Sequence, residues 1–350
     1  MRVQGPYVDD ERMDTPIRPS TFPSDDRDVD NIVAGLTIAG GFPAGLSGRL
    51  LGIGPDANGD GVIHCIDVRA GRSVSYRRSW VKTDVVAQRL GIDRSPGPRN
   101  GGPDVVDGNI VVFAGSILAL GDGSLAYELT PDLETVRRVD LAGQTRGLTA
   151  FPKIDAATGD LHLLTVAAAG AQAHVVVSAG ALTRTTRTIA APPVPVNDLA
   201  ITRDRVVFVA NGFVGVTSRD REANITWLPT GVDTARLVHA HDGGDTVVVV
   251  ALTPSLERWT LASTPAVARE VLDPTPQHFV ATARLVEGGW LVGYVHDAST
   301  DTTDVVIRDA ADITLPAVAT VRIPGRIPRG LHATWIPDPQ LTNIERQATR

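Results

Sequence analysis

Histidine is the scarce group in this chain that could do chemistry, and two of the eight stand close together. His239 and His241 lie in R-L-V-H-A-H-D-G-G-D. On a regular strand such a pair shares one face. With Asp242, His278 and His332 they contain enough imidazole and carboxylate for a three-ligand metal site. The competing reading is that H-A-H-D begins a turn and both rings are solvated. A second pattern, D-A-N-G-D-G-V-I-H-C-I-D over Asp56–Asp67, has the look of a calcium loop. Asp56, Asn58 and Asp60 stand at alternate positions, Gly61 follows, and Asp67 takes the place of the usual bidentate Glu. No amphipathic helix precedes it, so it reads as a hairpin turn. Cys65 is the only cysteine, which excludes an internal disulfide and a multi-thiolate metal site. No G-x-S-x-G, phosphate loop or dinucleotide fingerprint is present.

The elements that would position these groups are strands. Short Val-rich runs recur, among them I-V-V-F-A, R-V-V-F-V-A, T-V-V-V-V-A and W-L-V-G-Y-V. Turn chemistry separates them at Asn58-Gly59, Gly121-Asp122-Gly123, Thr158-Gly159-Asp160, Asp242-Gly243-Gly244 and Glu287-Gly288-Gly289. Helical periodicity is best over Val81–Leu90. Hairpins repeated over some 300 residues predict an all-β, propeller-like fold more than a sandwich, which would normally split at that length. The expected organisation is an extended arm over 1–30, one propeller domain over 31–340 and a tail over 341–350. A hydrophobic content of 43% supports a sizeable core, and the net charge of −7 argues against a nucleic-acid partner. Without a signal peptide or a run long enough to span a bilayer, the expectation is a cytoplasmic protein with no stable membrane insertion. The Ala, Val, Asp, Gly and Arg bias suggests a bacterial source.

Several segments, in order, resemble the carotenoid cleavage oxygenase family. They are G-F-P-A-G-L-S-G-R-L-L-G-I-G-P, N-G-D-G-V-I-H-C-I-D-V, Y-R-R-S-W-V-K-T, the Val111–Glu128 strand pair, D-L-E-T-V, T-A-F-P-K-I-D-A-A-T-G-D-L, V-N-D-L-A-I-T, R-L-V-H-A-H-D-G-G-D-T-V-V-V-V and R-I-P-R-G-L-H-A-T-W-I-P. The resemblance implies a seven-bladed β-propeller with a loop cap over an axial site. It also implies four iron-binding histidines, which fall here on Phe151, Asn197, Arg236 and His332. Only His332 keeps the ligand. Asp122 and Asp242 fall where carboxylates orient those histidines, and His278 falls near a third. His64 matches a family histidine outside the iron site.

Phenyl offers no lone pair, an amide oxygen is a poor iron ligand, and guanidinium repels a cation. Iron, and alkene cleavage with it, is therefore expected to be lost, with no cofactor in its place. The expected catalytic residues are Arg236 as a fixed cation, His332 as acid or base, and Asp242. Phe151, Asn197, Asp122, His278 and Trp335 would contact substrate. Arg236 is equally readable as half of a structural ion pair, and Trp335 as core packing. The expected function is a metal-free, non-oxidative cyclisation or isomerisation of a hydrophobic polyene-like or polyketide-like molecule in specialised metabolism. A non-catalytic binder of such a molecule and a dioxygenase with a rebuilt ligand set are the alternatives.

Overall fold

Alternation decides which way each strand faces. In Thr246–Leu252, Val247, Val249 and Ala251 are buried, while Val248 and Val250 are only half-buried. Such strands assemble into six antiparallel sheets among the described residues. The computed structural model describes residues 32–348, apart from 57, 70–72, 100, 142–147, 156, 166–171, 190–194, 220–223, 234, 254, 263–266, 274–283, 287–288, 298–299, 301, 313–314, 324–326 and 328–331. Four of the sheets are simple meanders that run outward from the axis, and the other two combine early and late strands. The inner strands are Asn109–Phe113, Lys153–Ile154, Val196–Ile201, Arg236–Gly243, Arg284–Val286 and His332–Pro337.

Both ends of the chain close the ring. The last strand, His332–Pro337, pairs antiparallel with Gly48–Pro55, bringing His332 opposite Ile53 and Trp335 opposite Leu50. The early strand Ile38–Gly40 completes the neighbouring sheet by pairing with Ala319–Ile323. The radial arrangement leaves only short, protected strand edges. The apolar core lies in layers between sheets. Leu50, Ile66, Tyr76, Tyr294, Val305 and Val321 form one layer. Val207, Val249, Leu237 and Trp259 belong to another.

The fold is thus an all-β propeller, and the expected seven blades are corrected to six among the described residues. A four-stranded meander with strands of about five residues needs on the order of 25 to 30 residues. The connections between sheets at 140–152, 190–195, 230–235, 274–283 and 324–331 are too short for one. The longest, 81–108, is spent on a helix and an irregular loop. That helix is Asp84–Leu90, capped by Thr83, whose hydroxyl accepts from the Val86 amide at 3.2 Å. It ends at Gly91 in the left-handed region (φ 67°), where glycine has no steric penalty. The segment expected as a tail is largely a second helix, Asp338–Ala348, with Leu341 and Ile344 buried beside Ile336. The expected arm lies outside the described residues.

The calcium-like segment is a hairpin turn. Asp56 accepts from the amides of Asn58 and Asp60 at 2.7 and 2.9 Å. Arg89 pairs with Asp60 at 2.6 Å, and Asp67 lies within a strand, paired with Arg49 at 2.8 Å. Those carboxylates are already neutralised.

Candidate functional site

The inner strands surround a cavity of about 970 Å³ on the axis. Its apolar walls include Ile110, Val112, Ile154, Val238, Ala240 and Trp335. Its polar lining includes Lys153, Asp155, Arg219, His239, His241 and Asp242. Pro152 and Leu237 line it too. Phe151 and Arg236 directly precede those two residues and meet each other. The Arg236 guanidinium carbon sits 4.4 Å from the Phe151 ring centroid. Among the described residues no carboxylate forms an ion pair with Arg236.

Asp122 stands close by and supports this end of the cavity. Its carboxylate accepts the Ala150 amide at 2.6 Å, which fixes the backbone next to Phe151. Burial pushes its pKa up, while the Ala150 hydrogen bond and the Arg236 charge oppose the rise. Gly108 lets the preceding loop approach, since a β-carbon there would lie 2.2 Å from that of Ala150.

The other expected site residues are placed differently. Asn197 lies at a β-bulge, and its amide donates to Asn211 at 2.5 Å instead of turning to Arg236. Asp242 lies six residues along the strand from Arg236, about 20 Å at the usual rise. It cannot be the partner of Arg236. It accepts from Arg205 at 3.1 Å, from the Thr202 hydroxyl at 2.9 Å and from the Asp204 amide at 3.1 Å. Trp335 both lines the cavity and packs against the Leu50–Tyr294 layer. The backbone of His332 begins the last inner strand. Its side chain, and all of His278, lie outside the described residues.

Sequence reasoning missed the most buried charges at the axis. Asp198, only 1% exposed, pairs with Lys153 at 3.0 Å. Its other oxygen accepts the Leu237 amide at 2.9 Å, so three successive inner strands are tied at one carboxylate. The rarity of lysine was the only hint. Asp155 and Arg219 form a second ion pair at the cavity wall. Arg219 also donates to the Thr202 carbonyl at 3.1 Å.

His162 and His174 form a buried pair behind that wall, with ring nitrogens 2.9 Å apart. His174 meets Phe208 edge-on at 5.7 Å. Burial holds His162 down to about 4 and His174 down to about 3. His64, hydrogen-bonded to the Tyr76 hydroxyl at 2.7 Å, is held down to about 3 by the same cause. A histidine pKa lowered by folding stabilises fully above about 6.5, the unfolded value, and loses that contribution as pH falls toward the folded value. Unfolding free energy is therefore expected to drop between pH 6.5 and 4, each histidine adding a slope of about 1.4 kcal/mol per pH unit. Denaturant titrations across that window check this; in His174→Gln the slope should be shallower by about one histidine.

Comparison with known proteins decides the family. The model for the retinal pigment epithelial membrane protein matches residues 26–267 and 268–337. The chain belongs to this family of carotenoid oxygenases. A carotenoid cleavage oxygenase of Mycobacterium tuberculosis is 37% identical over 147 residues, covering 36% of this chain and 29% of the relative. A resveratrol cleavage oxygenase of Chaetomium globosum is 29% identical over 153 residues, covering 36% and 26%. The matched part thus spans under a third of these relatives' length. Two solved structures share the fold. The Pseudomonas brassicacearum lignostilbene dioxygenase has a TM-score of 0.66 at 19% identity, with 89% of this chain and 96% of that one covered. A Synechocystis apocarotenoid oxygenase variant has a TM-score of 0.63 at 18% identity, with 88% and 96% covered.

The residues present do not fit the carotenoid oxygenase iron. At two of the four positions to which the resemblance assigns iron ligands, a phenyl ring and a guanidinium stack on each other. At a third, the Asn197 amide is engaged by Asn211. Among the described residues no three His, Cys, Asp or Glu are grouped to hold a metal ion. No helix among the described residues is long and apolar enough to cross a membrane.

Proposed function

We propose that this family member holds an elongated apolar molecule in its axial cavity and rearranges it without the family's iron or dioxygen. The reaction class is cyclisation or isomerisation of a polyene-like or polyketide-like molecule in bacterial specialised metabolism. The observation that carries the reading is the Arg236–Phe151 stack, a fixed cation and an aromatic ring on the residues directly preceding the cavity-lining Leu237 and Pro152. A cavity that folds a flexible substrate lowers the barrier by orientation alone. An oriented cation stabilises negative charge developing on a substrate oxygen. Asp122 contributes by holding the backbone next to Phe151.

A second reading, a binder that does not turn its ligand over, has its own support. The charged groups around the axis are largely paired: Asp155 with Arg219, Asp198 with Lys153 and Asp242 with Arg205. Such pairing leaves few groups for proton transfer.

Purified protein is expected to carry far less than one equivalent of iron. Added iron(II) should not produce aldehydes from stilbene or polyene substrates. Incubation with a polyene library, read by mass spectrometry, should give products of unchanged mass. Cleavage products, or stoichiometric iron, would refute the proposal; bound but unchanged ligand would favour the binder.

A further inference from the structure

We infer that His239 and His241 form a binding site for a divalent transition-metal ion, separate from the positions of the family's iron ligands. The two residues lie inside the strand Arg236–Gly243, and not in a turn as the H-A-H-D run suggested. The strand breaks register between Leu237 and His239, so that Val238 bulges out. A bulge of one residue resets which side chains face the core. Leu237 and Ala240 are thereby buried in the core layer, while His239 and His241, which line the same cavity, are exposed. Without the bulge, Leu237 and His239 would share a face.

The two rings stand side by side, centroids 5.7 Å apart and planes inclined by 28°. Both residues are exposed to the cavity space, and no ring nitrogen of either hydrogen-bonds another described residue. Asp242 is committed to Arg205 and Thr202, so it adds no ligand. Two imidazoles on one strand face can converge on a single ion at about 2.0–2.1 Å each by modest ring rotation, with water completing the shell. Imidazole donors suit copper, nickel and zinc, and the usual affinity order places iron(II) below all three. The site is therefore compatible with low iron content and does not depend on whether the cavity turns over a substrate.

The test uses untagged full-length protein stripped with chelator and titrated with zinc(II) and nickel(II) by calorimetry. Copper(II) paramagnetic resonance then reports the nitrogen ligands. The expected result is one ion per chain, with two nitrogen couplings. His239→Gln and His241→Gln should each weaken binding at least tenfold, and the double variant should abolish it. Both side chains face open space, so the variants should keep the wild-type melting temperature without metal. No binding by wild type would overturn the inference, and so would unchanged binding by the double variant.

Discussion

Lys153→Met is expected to destabilise the protein by about 3–5 kcal/mol, the usual cost of stranding one partner of a buried ion pair. Asp198 is 1% exposed and Lys153 14%, so the carboxylate left behind stays largely shielded from water. Two backbone amides, of Leu199 and Leu237, would still donate to the carboxylate at 2.8 and 2.9 Å. They carry no full charge to balance it. The effect should extend beyond local strain, because this carboxylate joins three inner strands, and the lysine also approaches the Leu237 carbonyl at 3.5 Å. The axial cavity should lose definition with them. Urea titration measures the loss as a shift in midpoint at constant slope. The double variant Lys153→Met with Asp198→Asn removes the stranded charge and should recover more than half the stability. Failure of that recovery would show that the lysine acts through packing of its stem.

The fold was legible because its signals are local and repeated. Val-rich alternation and Gly-containing turns mark strands without reference to anything distant. The motif register also singled out Phe151, just before the inner strand Lys153–Ile154, and Arg236, at the start of the inner strand Arg236–Gly243, and these two side chains stack. What sequence could not supply was distance along the axis. Asp242 was grouped with Arg236 by motif, yet strand rise separates them by about 20 Å, and Arg205 takes the carboxylate. His239 and His241 looked like turn residues because Asp242-Gly243-Gly244 follows them. The strand in fact runs to Gly243, and Gly244 alone takes the left-handed conformation (φ 71°). The bulge at Val238 has no signature of its own. Neither has the Lys153–Asp198 pair, since its partners lie in different sheets. The blade count was carried by resemblance, whereas connection lengths decide it.

The remaining large effect concerns Arg236, and the geometry changes what its removal should do. An Arg236 paired with a buried Asp would cost on the order of 3–5 kcal/mol to truncate. Here its contact is the Phe151 ring, and a cation–π stack of that kind contributes about 0.5–2 kcal/mol. Arg236→Met keeps length and apolar bulk while removing the charge and all five donors. It should therefore melt close to wild type yet lose at least tenfold in ligand binding or turnover, about 1.4 kcal/mol or more. Asp122 should respond as well. Arg236 now opposes the upward push of burial on that carboxyl, so removing the cation should raise its pKa further. Arg236→Lys separates charge from shape, because an ammonium keeps the charge but neither the planar fork nor the stack. Rescue by lysine would assign the role to charge facing a ligand oxygen. Failure of lysine, with methionine equally poor, would assign it to the stacked plane. Wild-type binding and turnover in Arg236→Met would leave the residue a structural partner of Phe151 and remove the main support for a catalytic reading.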